Sequence, residues 1–199
     1  MNFGIVISYV IAAFLTITII TITYTVGFSN QEVTTTLMKK NHSQAIQQIL
    51  INDVPKIGFK NMGIVEDMFI TATTKKISFK ADLDNDGDVE VIIWEYKPDK
   101  APEHAKNPHV DTVTRTVDGV ETDITVGITN FVIRYYDTYG SSTPMSTPIS
   151  SSDYEDIVQI EFEMELQSDF SLNYRASDDD NYVTTSWRKR FSPVNLRPN

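Results

Sequence analysis

A chain that opens with 31 residues and no charged side chain must satisfy two solvents, because the remainder reads as an ordinary acidic, water-soluble domain. Ile, Val, Phe and Leu dominate residues 3–28; the first acid is Glu32 and the first bases are Lys39 and Lys40. A spanning helix needs about 20 apolar residues at about 1.5 Å rise each, so residues 3–28 are long enough to cross a bilayer with some tilt. The run is rich in β-branched residues, which form helix poorly in water. In lipid, or sheathed by other apolar helices, backbone groups must pair within the segment, and helix is the outcome. Thr16, Thr18, Thr21 and Thr23 are expected to return their hydroxyls to carbonyls one turn back. A cleaved secretory signal is the competing reading. It wants a basic start, a run of roughly 7–15 residues and a small-residue cleavage site. No Lys or Arg precedes this run, and Tyr24-Thr25-Val26-Gly27-Phe28 is a poor cleavage site, so the arm is expected to be retained.

The helical pattern continues in amphipathic form over residues 30–54, where Val33, Leu37, Ala45, Ile46, Ile49 and Leu50 recur near a 3.6-residue period. Pro55 bars further helix and Gly58 follows. One helix of about 50 residues is therefore expected, apolar all round in its first half and striped in its second. From residue 64 the period begins to switch to 2. Strands are expected over residues 76–80, 89–96, 110–117, 130–137, 158–166 and 182–191, with a hairpin at Asp118-Gly119 leading to a strand from Thr122. The alternation is clearest at Val158, Ile160, Phe162, Met164 and Leu166 against Gln159, Glu161, Glu163 and Glu165. Arg188 and Arg190 share a face of the last strand and are expected to oppose that glutamate row, since opposite charges across strands attract. The Ser/Thr/Pro stretch at 140–152 and the acidic stretch at 176–181 read as solvated loops. The division is thus 1–29 apolar helix, 30–55 amphipathic continuation and 56–199 antiparallel β-domain, an α+β chain.

The formal net charge of −10 argues against nucleic acid as a partner. There is no cysteine, hence no disulfide framework, thiol catalyst or thiolate metal site. His42, His104 and His109 form no ligand pair at helical spacing. No Gly-rich phosphate loop, Gly-x-Ser-x-Gly elbow or His-Glu-x-x-His helix occurs, so nothing points to an enzyme.

One acidic turn does carry chemistry. Asp82, Asp84, Asp86 and Gly87 match the start of a calcium loop, D-x-D-x-D-G, in which alternate oxygens converge as the backbone curls and glycine permits the bend. Asp88 and Glu90 would add a backbone carbonyl and a direct or water-bridged carboxylate. The bidentate acid of an EF-hand is missing, because its place holds Ile93. Calcium is the candidate ligand, at an affinity of about 10⁻⁴–10⁻³ M as in extracellular modules; the bland alternative is an Asn-Asp-Gly turn with solvated acids.

A long helix, apolar then amphipathic, followed by antiparallel strands resembles the plan of type IV pilins. Residues 51–59 (INDVPKIGF) are similar to the helix-ending segment of minor pilins and pseudopilins, and residues 77–90 (ISFKADLDNDGDVE) to an acidic β-hairpin they carry. Position 5 is Ile5, where the family carries the glutamate that registers neighbouring subunits. The resemblance implies a structural filament subunit that waits in the inner membrane, is handled by a pilus assembly machinery and ends at the cell surface with its domain exported. Lys39 and Lys40 alone would place that domain in the cytoplasm. It further implies that Phe3, Ile5, Ile7, Ile11, Phe14, Leu15, Ile19 and Ile22 pack against other copies in the fibre core. The alternative is a membrane-anchored, calcium-stabilised β-domain that never polymerises, or a capping pseudopilin of a secretion system.

Overall fold

The computed structural model describes residues 3–61, 63–98, 100–171 and 182–196, without the side chains of Lys39 and His42. The acidic stretch at 176–181 lies outside the described residues. Helix α1 (Phe3–Asp53) runs unbroken for 51 residues, about 76 Å at 1.5 Å per residue. Within it Thr16, Thr18, Thr21 and Thr23 donate their hydroxyls to the carbonyls of Ala12, Phe14, Ile17 and Ile19 at 2.8–2.9 Å. Ser8 and Thr25 do the same, so these hydroxyls of the arm are satisfied without water. At Pro55 the helix tightens into a 3₁₀ turn, Val54–Lys56. The chain then reverses at Gly58, whose φ of +71° and close approach to the Met68 side chain leave no room for a Cβ.

Ten strands follow. β1 (Phe59–Lys60) and β2 (Gly63–Ile64) make a two-residue ladder. β3 (Phe69–Ala72), β4 (Lys76–Ala81), β5 (Glu90–Lys97), β6 (Thr112–Val117) and β7 (Val120–Ile124) form a five-stranded antiparallel meander in chain order. β8 (Ile128–Tyr136), β9 (Gln159–Gln167) and β10 (Thr184–Phe191) form a second antiparallel sheet with β9 in the centre. The β6–β7 hairpin turns at Asp118 and Gly119, both at positive φ, as a two-residue primed turn requires.

The two sheets meet through aromatic side chains. Trp94 of β5 stacks on Phe131 of β8 with ring centroids 6.5 Å apart, and Phe131 contacts Phe162 of β9 at 5.9 Å. All three are fully buried, joined by Ile77, Phe79 and Ile92 from the first sheet and Ile133, Met164 and Leu166 from the second. Ile46 and Leu50 of α1 enter the same core.

The charge ladder forms on the opposite face of β9. Arg188 pairs in register with Glu163 and Arg190 with Glu161. Arg190 reaches Glu161 at 3.0 Å and Arg188 reaches Glu163 at 2.7 Å. Arg134 on β8 completes the row from the other side, at 2.6 Å from Glu163 and 3.3 Å from Glu161. The Arg134 hydrogen bond holds the Glu163 carboxyl below the usual carboxylate range.

Two expectations need correction. The second-half stripe of α1 is narrower and begins later than the periodicity suggests: Ser43, Ile46, Leu50 and Asp53 are buried, whereas Val33, Leu37, Ala45 and Ile49 stay exposed. Among the described residues, burial of the helix is confined to its last three turns. The stretch at 140–152 is not a free solvated loop either. The Met145 N–H donates to the Tyr135 carbonyl at 2.8 Å and the Ile149 N–H to the Ala72 carbonyl at 3.0 Å, so the segment ties β8 to β3. Ile149 is buried, and a 3₁₀ turn (Ser151–Asp156) follows.

Candidate functional site

The most apolar part of α1 has none of its residues buried, and by length and composition it is a helix able to cross a membrane. Phe3, Ile5, Ile7, Ile11, Phe14, Leu15, Ile19 and Ile22 are all exposed, from 47 % at Ile7 to 75 % at Phe3. They point to every side of the helix, because a period of 3.6 residues spreads an unbroken apolar run around the axis. Monomeric soluble proteins rarely expose contiguous apolar surface beyond a few hundred Å². The large apolar side chains of the arm are exposed along its whole length, a surface whose composition suits an apolar environment. None of residues 3–30 is buried, and the hydroxyls of Thr16, Thr18, Thr21 and Thr23 have turned inward to the backbone.

The acidic turn joins β4 to β5. Asp82 is fully buried although ionisable, and the backbone accounts for that. One of its oxygens accepts the Asn85 N–H at 2.6 Å; the other accepts the N–H groups of Gly87 at 3.1 Å and Asn61 at 3.2 Å. Asp84 accepts from the Asp86 N–H at 3.3 Å and Asp86 from the Asp88 N–H at 2.8 Å. Asn85 and Gly87 hold the positive φ values, +68° and +101°, that curl the chain. Carboxylate oxygens of Asp82, Asp84 and Asp86 lie within 4.8 Å of one another. Two oxygens on one calcium ion, each at 2.3–2.6 Å, can be up to about 5 Å apart, so these three fit a common cation.

The carboxylates of Asp88 and Glu90 lie outside that group of mutually close oxygens. Glu90 accepts the Leu83 N–H at 2.6 Å and closes the turn from the other side. The Lys56 ammonium donates to the Leu83 carbonyl, which brings a base to the loop. The turn is therefore closed by its own N–H groups, and a cation would add to it rather than build it.

A third cluster carried no sequence signal. Asp53, the last residue of α1, is fully buried and accepts the Trp94 indole N–H at 3.1 Å. It also accepts two guanidinium bonds from Arg115, at 2.7 and 3.0 Å. The partners stand 41 and 62 positions away in the chain, beyond any periodicity.

No protein-family model, curated protein or solved structure matches this chain.

Proposed function

We propose that this chain is the structural subunit of an extracellular, type IV pilin-like filament, in which the arms pack helix to helix in the core and the β-domains face outward. The observation that carries the reading is the arm itself, a continuous helix whose most apolar stretch has no buried residue among those described. The arm waits in the membrane, then exchanges lipid for the arms of other copies. Dispersion between closely packed apolar helices drives that exchange. Gly4 and Gly27, with open space at each Cβ position, and Ala12 and Ala13 permit close approach. The acidic outer surface keeps fibres apart by charge. Electron microscopy of sheared cell-surface material tests the reading. Helical fibres built of this chain are expected; recovery only as a monomer in the membrane fraction would overturn it.

The alternative, a membrane-anchored β-domain that never polymerises, is favoured by the length of the arm, which suffices for a single span. Both readings accommodate calcium at Asp82, Asp84 and Asp86. Asp82 is a poor probe, because its three backbone bonds would be lost with or without the ion. The informative variant is Asp84→Asn with Asp86→Asn. The wild-type chain is expected to melt higher in millimolar calcium than in EDTA, and the double variant to melt at the EDTA temperature in both. A wild-type melting temperature that ignores calcium would remove the ion from the account.

A further inference from the structure

Among the described residues, the buried positions of helix α1 all lie within residues 43–53, and two kinds of contact hold it there. Ser43, Ile46 and Leu50 are buried, with the helix lying against β9 and β10. Apolar contact of this kind is non-directional: it favours burial but tolerates sliding and rolling. The contact at Asp53 differs. Trp94 on β5 and Arg115 on β6 face each other in register, and their three N–H groups converge on one carboxylate. The helix end is thus set against one sheet by packing and pinned to the other by directional bonds.

The residue chosen for that pin is otherwise ill suited. An anion in the last turn opposes the helix dipole. A fully buried carboxylate also loses its hydration, and a well-packed apolar residue there is often as stable or more so. What an apolar residue could not supply is orientation, because only the planar guanidinium fork fixes the carboxylate in angle as well as distance.

Orientation matters here because the arm is a lever. From Asp53 to Phe3 is 50 residues, or about 75 Å at 1.5 Å each. A tilt of about 5° at Asp53 moves the tip by about 6–7 Å, most of the 8–10 Å that separates packed helix axes. The geometry points to Asp53, Trp94 and Arg115 as positioning residues that set the direction and roll of the arm, so that every copy presents the same arm faces to its neighbours. The consequence for assembly rests on the filament reading; the positioning itself does not.

The absence of cysteine makes the test clean. Spin labels go on Gln31→Cys in the arm and Val120→Cys at the β6–β7 turn, both exposed, in the detergent-solubilised full chain. The label-to-label distance distribution is then measured by pulsed electron resonance. The pair Asp53→Asn/Arg115→Gln removes the ion pair and the fork, leaves no unpaired charge and keeps an acceptor for Trp94. Its distribution is expected to widen at least twofold, with the melting temperature of the β-domain held within a few degrees, and its fibre yield to fall at least tenfold. A width equal to wild type would overturn the proposal. Should the double variant fail to fold, Arg115→Lys decides on the same criterion, since it keeps the charge and loses only the fork. A widened distribution with normal fibres would overturn the assembly role. A widened distribution where wild-type cells make no fibres would retain the anchor and overturn the filament reading instead.

Discussion

Ile19→Asp is expected to abolish fibres while leaving the chain in the membrane and its β-domain folded. Ile19 lies deep within the run of residues 3–28 and is 63 % exposed, so no contact within the chain is lost. An aspartate at the centre of an apolar helix costs about 3 kcal/mol on insertion scales, while each remaining Ile, Leu, Phe or Val contributes roughly −0.3 to −0.6 kcal/mol. Membrane insertion therefore survives. Packing against other arms does not, because the carboxylate would be buried without a partner. In lipid that charge is relieved by local thinning and water defects, relief that packed arms deny it, and each loss of about 1.4 kcal/mol is tenfold in an association step. Ile11→Asp should act alike, since Ile11 sits two turns nearer the start on an equally uncovered stretch. Both are read from membrane fractions and from sheared material under the electron microscope; normal fibres from either variant would count against a core of packed arms.

Phe131→Ala is expected to be the most damaging single change in the β-domain. Phe131 has no exposed surface, stacks on Trp94 at 6.5 Å and contacts Phe162 at 5.9 Å, so it bridges both sheets. Emptying such a site costs about 3–5 kcal/mol through lost burial and the cavity left behind. Whole domains are stable by only about 5–15 kcal/mol. For a chain of this size each kcal/mol shifts the melting temperature by about 2–4 °C, so a drop of about 6–20 °C follows. Tyr139→Ala, at a residue 48 % exposed, should stay within about 0.5 kcal/mol of wild type. Calorimetry on the two variants decides the matter: equal melting temperatures would mean that the sheets are not joined through Phe131.

The parts of this fold that were legible in the sequence are those written in short-range pattern. The 51-residue helix and its end at Pro55 follow from periodicity and a missing backbone donor. The back-bonded threonines follow from helix geometry, and the Glu161/Glu163 row with Arg188 and Arg190 from strand alternation. What stayed hidden is set by long-range placement. A 3.6-residue period shows that α1 has an apolar stripe but not how far along it the domain reaches, and Val33 and Leu37 on that stripe are exposed. The ladder of β1 and β2 is two residues long, too short to show a period of 2. The stretch at 140–152 has loop composition, yet backbone bonds to Tyr135 and Ala72 pin it, and backbone bonds leave no trace in side-chain pattern. At the acidic turn the spacing brought Asp82, Asp84 and Asp86 together as expected. It could not show that one Glu90 oxygen would accept the Leu83 N–H.

Whether arms pack on arms can be read by cross-linking in intact cells. With no native cysteine, Ile19→Cys places a single thiol in the arm. Intact cells bearing this variant are treated with a membrane-permeant bis-maleimide, and the chain is resolved under denaturing conditions. Covalent dimers are expected if arms pack on arms, enriched in the sheared fibre fraction. A thiol that reacts with a monofunctional maleimide yet yields only monomer with the bifunctional reagent would contradict that packing.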